Sequence, residues 1–120
     1  HGVAPGQIAK TLSIRVGDQV ALVVTRGDAR LDNKKAKAFF GGKVRMLDLA
    51  EVEALTGHPV GGVCPFGLRA PLPVYCDLSL KAFDEVVPAA GSTHSSVRIA
   101  PGRMAELTNA AWIDVCAVPA

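Results

Sequence analysis

Residues 8–25 read IAKTLSIRVGDQVALVVT, and the fold turns on how they are read. From Ile8 to Val16 the residues alternate as in a β-strand, with Ile8, Leu12, Ile14 and Val16 on one face and Ala9, Thr11, Ser13 and Arg15 on the other. Gly17-Asp18 is a two-residue turn signal, so the chain folds back as a hairpin. Val20–Thr25 is a nearly unbroken apolar run, as expected of a central strand covered on both faces. Lys10 breaks this pattern. It is a cation on the aliphatic face, and an unpaired buried ammonium costs several kcal/mol, roughly. Lys10 must therefore be paired, bend to water at the strand end, or face a wet cavity.

Outward from the hairpin, short elements follow with no β-α-β rhythm. Asp32 can cap a helix running to about Phe40, with Ala36, Phe39 and Phe40 at helical spacing and Gly41-Gly42 ending it. Val44–Leu47 reads as a strand. Asp48 and Glu51 form a capping box for a helix that turns Leu49, Val52 and Leu55 inward. Leu72–Cys76 reads as a strand whose start, with Pro71 and Pro73, lies at an edge. Asp77 can cap a helical turn that turns Leu80 and Phe83 inward. Glu85–Ala89 and Val97–Ile99 are strand-like, Pro101 opens a last helix with Met104 and Leu107 at i, i+3, and Ala111–Val115 closes as a strand. About seven short strands with three or four helices predict an α+β fold around a strongly curved mixed β-sheet, barrel-like and flanked by short helices.

The 120 residues are the size of one domain, expected to span 1–120. No apolar run is long enough to cross a membrane as a helix. A net charge of +2 neither demands nor excludes a nucleic-acid partner. Cys64, Cys76 and Cys116 stand far apart, which favours free thiols in a reducing, cytoplasmic setting. His1, His58 and His94 lack ligand spacing, so neither a metal nor another cofactor is expected. Lys34, Lys35, Lys37, Lys43 and Arg45 put five positive charges into twelve residues, either a solvated face or a patch that holds a phosphate backbone.

Residues 57–68, GHPVGGVCPFGL, hold four glycines and two prolines among apolar residues. Such a loop is either a buried structural turn or the lining of a site, where Gly61-Gly62 lets backbone N–H groups approach a ligand. Cys64 with His58 nearby offers a nucleophile reading, but a buried inert thiol fits its apolar setting better.

The blocks GQIAKTL (6–12), GDARLDNKK (27–35) and TGHPVGGVCPFG (56–67), followed in order by LPVYCDLSL, AAGS and WIDV, resemble the YbaK-like aminoacyl-tRNA editing deacylases. That family includes free-standing proteins and the editing domain inserted in bacterial prolyl-tRNA synthetases. The resemblance implies hydrolysis of a small amino acid (alanine, cysteine or serine) wrongly attached to tRNA, commonly tRNA for proline. It implies no metal, no membrane, and a synthetase as a further partner. The family's functional lysine falls on Lys10, its neighbouring threonine on Thr11, and its backbone-contact glycine on Gly61, with Gly62 beside it. Val60, Val63 and Cys64 would line a small pocket. A position that is polar in many members falls near Ala89, which leaves amino-acid specificity open. The family's usual first helix and strand would precede His1. A binding module without turnover stays open as the alternative, because no clear acid or base stands out.

Overall fold

The structure is a computed structural model that describes residues 5–56, 72–88 and 98–118. A 3-10 turn at Pro5–Gln7 leads into β1 (Ile8–Val16), and β2 (Gln19–Arg26) returns antiparallel to it with Val16 opposite Gln19. Gly17 sits at φ 59, the left-handed region, at the first of the two loop positions. β3 (Arg30–Leu31) and α1 (Asn33–Phe40) follow, then β4 (Val44–Met46), α2 (Leu49–Thr56), β5 (Val74–Asp77) and a 3-10 segment at Leu78–Ala82. β6 (Val87–Pro88), α3 (Pro101–Thr108), β7 (Ala111–Ile113) and β8 (Cys116–Ala117) complete the order.

The main sheet is mixed and six-stranded, in the order β4-β1-β2-β5-β7, with β6 also against β1. β2, β5 and β7 run parallel, while β1 is antiparallel to both β2 and β4. β3 and β8 pair separately. The sheet is open, with β4 and β7 at its ends, so the barrel-like expectation is corrected. Its path never returns β7 to β4. β5 lies between β2 and β7, with the β7 neighbour beginning at Tyr75. Pro73 costs the ladder nothing because it precedes the strand, and its carbonyl accepts the Leu22 N–H at 2.9 Å.

Both faces of the central hairpin are covered, as its apolar run requires. One face packs Leu22, Val24, Val74 and Cys76 against Leu80, Val86 and the α3 residues Met104 and Ala105. The other packs Ile14, Ala21 and Val23 against Ala36 of α1, Ile113, Val115 and Cys116. The caps act as their residues dictate. The Asp32 carboxylate accepts the Lys35 N–H at 3.0 Å, Gly41 ends α1 at φ 76, and Asp48 accepts the Glu51 N–H at 2.8 Å. Eight-residue helices bury only a narrow stripe. Phe39 and Leu107 are half-exposed, while Ala36, Met104 and Ala105 carry the contacts. Val52 is buried and Leu55 partly so; the Leu49 side chain lies outside the described residues.

Candidate functional site

The hairpin register sets Lys10 opposite Thr25, Leu12 opposite Val23 and Ile14 opposite Ala21. Partners directly across a ladder share a face. Val24 lies beside Cys76 on β5, so Thr25 and Asp77 follow at the same level, and Asp77 lies beside Ile113 on β7. A polar row, Lys10–Thr25–Asp77, thus runs from near the amino end of β1 to the carboxyl ends of the parallel strands β2 and β5. The rows behind it, Leu12–Val23–Tyr75 and Ile14–Ala21, belong to the core under α1. The inward placement of Lys10 is therefore real.

Lys10 is partly buried and makes no hydrogen bond or ion pair among the described residues. Its charge acts on Asp28 and on Cys116. Around it the polar groups are already matched. Thr25 is fully buried, with its Oγ1 at 3.2 Å from Ser79 Oγ. Asp77 is 1% exposed, and Oδ1 accepts the N–H groups of Val115 (2.9 Å) and Cys116 (3.1 Å) while Oδ2 accepts that of Ser79 (3.0 Å). One carboxylate thereby caps the 3-10 segment and fixes the chain entering β8. Both of its oxygens are committed, which makes it an anchor and not a free base. Burial pushes the Cys116 thiol up to about 11 against the counter-effect of a hydrogen bond with Thr25, and burial alone raises Cys76 to about 11. Both are protonated, inert thiols at neutral pH.

Arg26 and Asp28 form a two-point ion pair beside this row, Nε to Oδ1 at 2.6 Å and Nη2 to Oδ2 at 2.9 Å. The hydrogen bond from Arg26 holds the Asp28 carboxyl below its usual range, and the same bond raises Arg26. Arg26 also lies 4.9 Å over the Phe83 ring. Gly6 packs on the pair so closely that a Cβ there would meet Arg26 Nη2 at 2.8 Å and Asp28 Oδ1 at 2.9 Å. The blocks GQIAKTL and GDARLDNKK, separate in sequence, thus touch at the site. On the far side, Lys35 Nζ donates to Asp114 Oδ1 at 2.9 Å and to the Cys116 carbonyl at 3.3 Å.

Thr11 follows Lys10 and faces the opposite side of β1. Its Oγ1, the Ser13 Oγ and the Arg15 Nε are buried without hydrogen-bond partners among the described residues. On its outer edge β1 pairs with β6 at residues 8 and 9 and with β4 at 14–16. Residues 10–12 have no strand neighbour on that edge among the described residues. Of the basic cluster, Lys35 pairs with Asp114 and Arg45 with Glu51 at 3.5 Å. Lys34, Lys37 and Lys43 are exposed and make no ion pair among the described residues. His58, Val60, Gly61, Gly62, Val63, Cys64, Ala89 and His94 lie outside the described residues.

Sequence reasoning missed Thr25, Ser79 and the second role of Asp77. A hydroxyl ending an apolar run was the available signal for Thr25. Nothing local could show that Asp77 captures amides 38 and 39 residues away.

The sequence profile of the aminoacyl-tRNA editing domain matches residues 1–107. This chain belongs to the aminoacyl-tRNA editing domain family. Bacillus subtilis YwhH, an uncharacterized protein, is 51% identical over 96% of this chain and 74% of its own length. Enterococcus faecalis EbsC, provisionally described as a Cys-tRNA(Pro)/Cys-tRNA(Cys) deacylase, is 34% identical over 95% of this chain and 71% of its own. A crystal structure provisionally described as a trans-editing enzyme for prolyl-tRNA synthetase superposes with a TM-score of 0.86 at 38% identity, over 95% of this chain and 73% of that one. Lys10 of this editing domain therefore sits in a fold shared with proteins linked by their names to tRNA(Pro) or prolyl-tRNA synthetase.

Proposed function

We propose that this chain is a trans-acting aminoacyl-tRNA deacylase that cleaves the ester of a small mischarged amino acid, alanine, cysteine or serine, from tRNA for proline. The observation that carries the reading is Lys10: a partly buried cation, unpaired among the described residues, at the open end of an apolar face. A partly buried ammonium that keeps its head in water can take an anion as a further partner. The terminal phosphate of an aminoacyl-tRNA supplies that anion.

In this mechanism Lys10 fixes the phosphate or ribose end and so orients the ester. The amides of Gly61 and Gly62 donate to the carbonyl oxygen as negative charge develops on it. Water adds to the carbonyl carbon, the ester C–O bond breaks, and the ribose hydroxyl leaves with a proton as the amino acid departs. An aminoacyl ester is already labile, so no covalent nucleophile is required, in keeping with the protonated Cys116 and Cys76. Thr11, Val60, Val63, Cys64 and Ala89 would contact the amino acid. The chain acts in the cytoplasm, with a prolyl-tRNA synthetase as the partner that produces its substrate.

The test is ester loss from Ala-, Cys- and Ser-tRNA(Pro) with the wild type and Lys10→Ala. Wild-type turnover of at least one substrate is expected, with kcat/KM down about 10²-fold in the variant. Equal rates would remove Lys10 from the mechanism. Binding of tRNA with no turnover would instead support a non-catalytic module, which the committed oxygens of Asp77 favour.

A further inference from the structure

Lys10 stands directly opposite Thr25 in the hairpin ladder. Residues paired in this way carry their Cβ atoms about 5 Å apart on one face. A lysine side chain spans that gap, and a threonine hydroxyl has two lone pairs that can accept from an ammonium. Yet among the described residues Lys10 makes no hydrogen bond. The reason lies on the other flank of Thr25, whose Oγ1 is 3.2 Å from Ser79 Oγ. Ser79 is fixed through its main chain, because its N–H donates to Asp77 Oδ2 at 3.0 Å. Asp77 is buried, and its other oxygen accepts the N–H groups of Val115 and Cys116, so the clamp on Ser79 is itself anchored. Thr25 is fully buried while Ser79 is only half-buried. Water can serve a half-buried hydroxyl, but a fully buried one takes its partner from the groups packed around it. Around Thr25 these include Ser79, the Cys116 thiol and, across the ladder, Lys10.

We propose that Ser79 is a positioning residue for Lys10. By engaging the Thr25 hydroxyl it keeps that oxygen from capturing the ammonium, and so leaves Lys10 open to the substrate anion. The proposal rests on the deacylase reading and adds to it a residue that acts through Thr25 and touches no reacting atom. Without the Ser79 hydroxyl the buried Thr25 oxygen loses a partner, and the cation across the ladder replaces it. A hydrogen bond from an ammonium is stronger than one between neutral groups, so the captured lysine becomes the main form of the unliganded protein. Only the fraction with Lys10 open then binds substrate. Apparent affinity falls by that fraction, while the chemical step in the bound complex is unchanged.

The experiment compares steady-state deacylation by the wild type, Ser79→Ala, Ser79→Thr and Ser79→Ala/Thr25→Val, with circular dichroism to confirm folding. Ser79→Ala should raise KM about 10-fold and leave kcat within about 2-fold. Ser79→Thr, which restores the hydroxyl, should stay near the wild type. The double variant removes the oxygen that captures Lys10, so its KM should return to within about 3-fold of the wild type. A merely structural Ser79 gives the opposite result, since a second buried substitution compounds the first. An unchanged KM in Ser79→Ala, or a double variant worse than the single one, overturns the proposal. Nitrogen-15 NMR of the lysine ammonium groups supplies a readout that needs no turnover, with Lys10 assigned by the signal lost in Lys10→Ala. Rotation of its ammonium about the Cε–Nζ bond should slow in Ser79→Ala and recover in the double variant. Equal rotation in the wild type and Ser79→Ala overturns the proposal whatever the kinetics. The two ideas fail separately. No ester loss by any of these proteins, with the ammonium slowed in Ser79→Ala, sinks the deacylase reading alone, whereas turnover with KM and rotation indifferent to Ser79 sinks the positioning role alone.

Discussion

Asp77→Ala tests whether one buried carboxylate joins the end of β5 to the start of β8. In the native chain its oxygens accept three main-chain N–H groups at 2.9, 3.0 and 3.1 Å, and the residue is 1% exposed. Truncation leaves all three donors without an acceptor. Each unsatisfied buried donor costs about 1–3 kcal/mol, so the expected loss is about 3 kcal/mol or more, even after water reaches the cavity. That is a large part of the about 5–15 kcal/mol that holds a domain together. Asp77→Asn keeps one oxygen for Val115 and Cys116 but turns an NH2 toward the Ser79 N–H, and about 1–2 kcal/mol is expected to go. With an m-value of about 1–3 kcal/mol/M, the urea midpoint of the alanine variant falls by about 1 M or more. Hydrogen exchange at the Val115 and Cys116 amides should accelerate in the same order. A loss below about 1 kcal/mol for Asp77→Ala with an unchanged m-value, or an asparagine variant worse than the alanine one, refutes the reasoning.

Gly6→Ala meets only the far ends of the Arg26 and Asp28 side chains, which can shift, so it should cost less than about 1 kcal/mol, read in the thermal midpoint; a loss of about 3 kcal/mol or more would show that the pair is held rigidly. Cys76 and Cys116, buried and with thiols near 11, should resist iodoacetamide at pH 8, where about one thiol in a thousand is ionised. In a Cys64→Ser background, native labelling at the rate of a free cysteine would contradict their burial. The hydrogen bond from Arg15 at 2.6 Å, and then that from the Asp48 N–H, hold Glu51 below its ordinary 4.5. The folded carboxyl thus titrates below the unfolded one, so its contribution is whole above about pH 4.5 and is lost as pH falls further. The stability gap between the wild type and Glu51→Gln should shrink between pH 5 and pH 3, and a gap that widens reverses the assigned sign.

Local chemistry made much of this chain legible without coordinates. The hairpin follows from the period of two in residues 8–16 and the turn at Gly17-Asp18. Asp32, Gly41 and Asp48 mark helix ends because capping is a contact between neighbours a few residues apart. Lys10 stood out for the same kind of reason, a charge on an aliphatic face, and the blocks around it carried the family resemblance. Ordering the strands was a different matter. Pro71 and Pro73 placed only the strand's start at an edge, and nothing in them told that β5 runs between β2 and β7. Period and composition report whether a strand is covered, not which neighbours cover it, and the same strands could close into a barrel or lie open.

The assembly around Lys10 likewise waited on tertiary structure. Thr25, Asp77 and Ser79 share its level only because β2 and β5 are parallel in one particular register. Asp77 meets the Val115 and Cys116 amides only because β7 lies beside β5 and the chain then turns into β8. Caps and turns are settled by forces acting within a few residues, which a sequence displays directly. A site assembled from four strands depends on which distant segments the hydrophobic core brings side by side, and only the folded chain makes that choice.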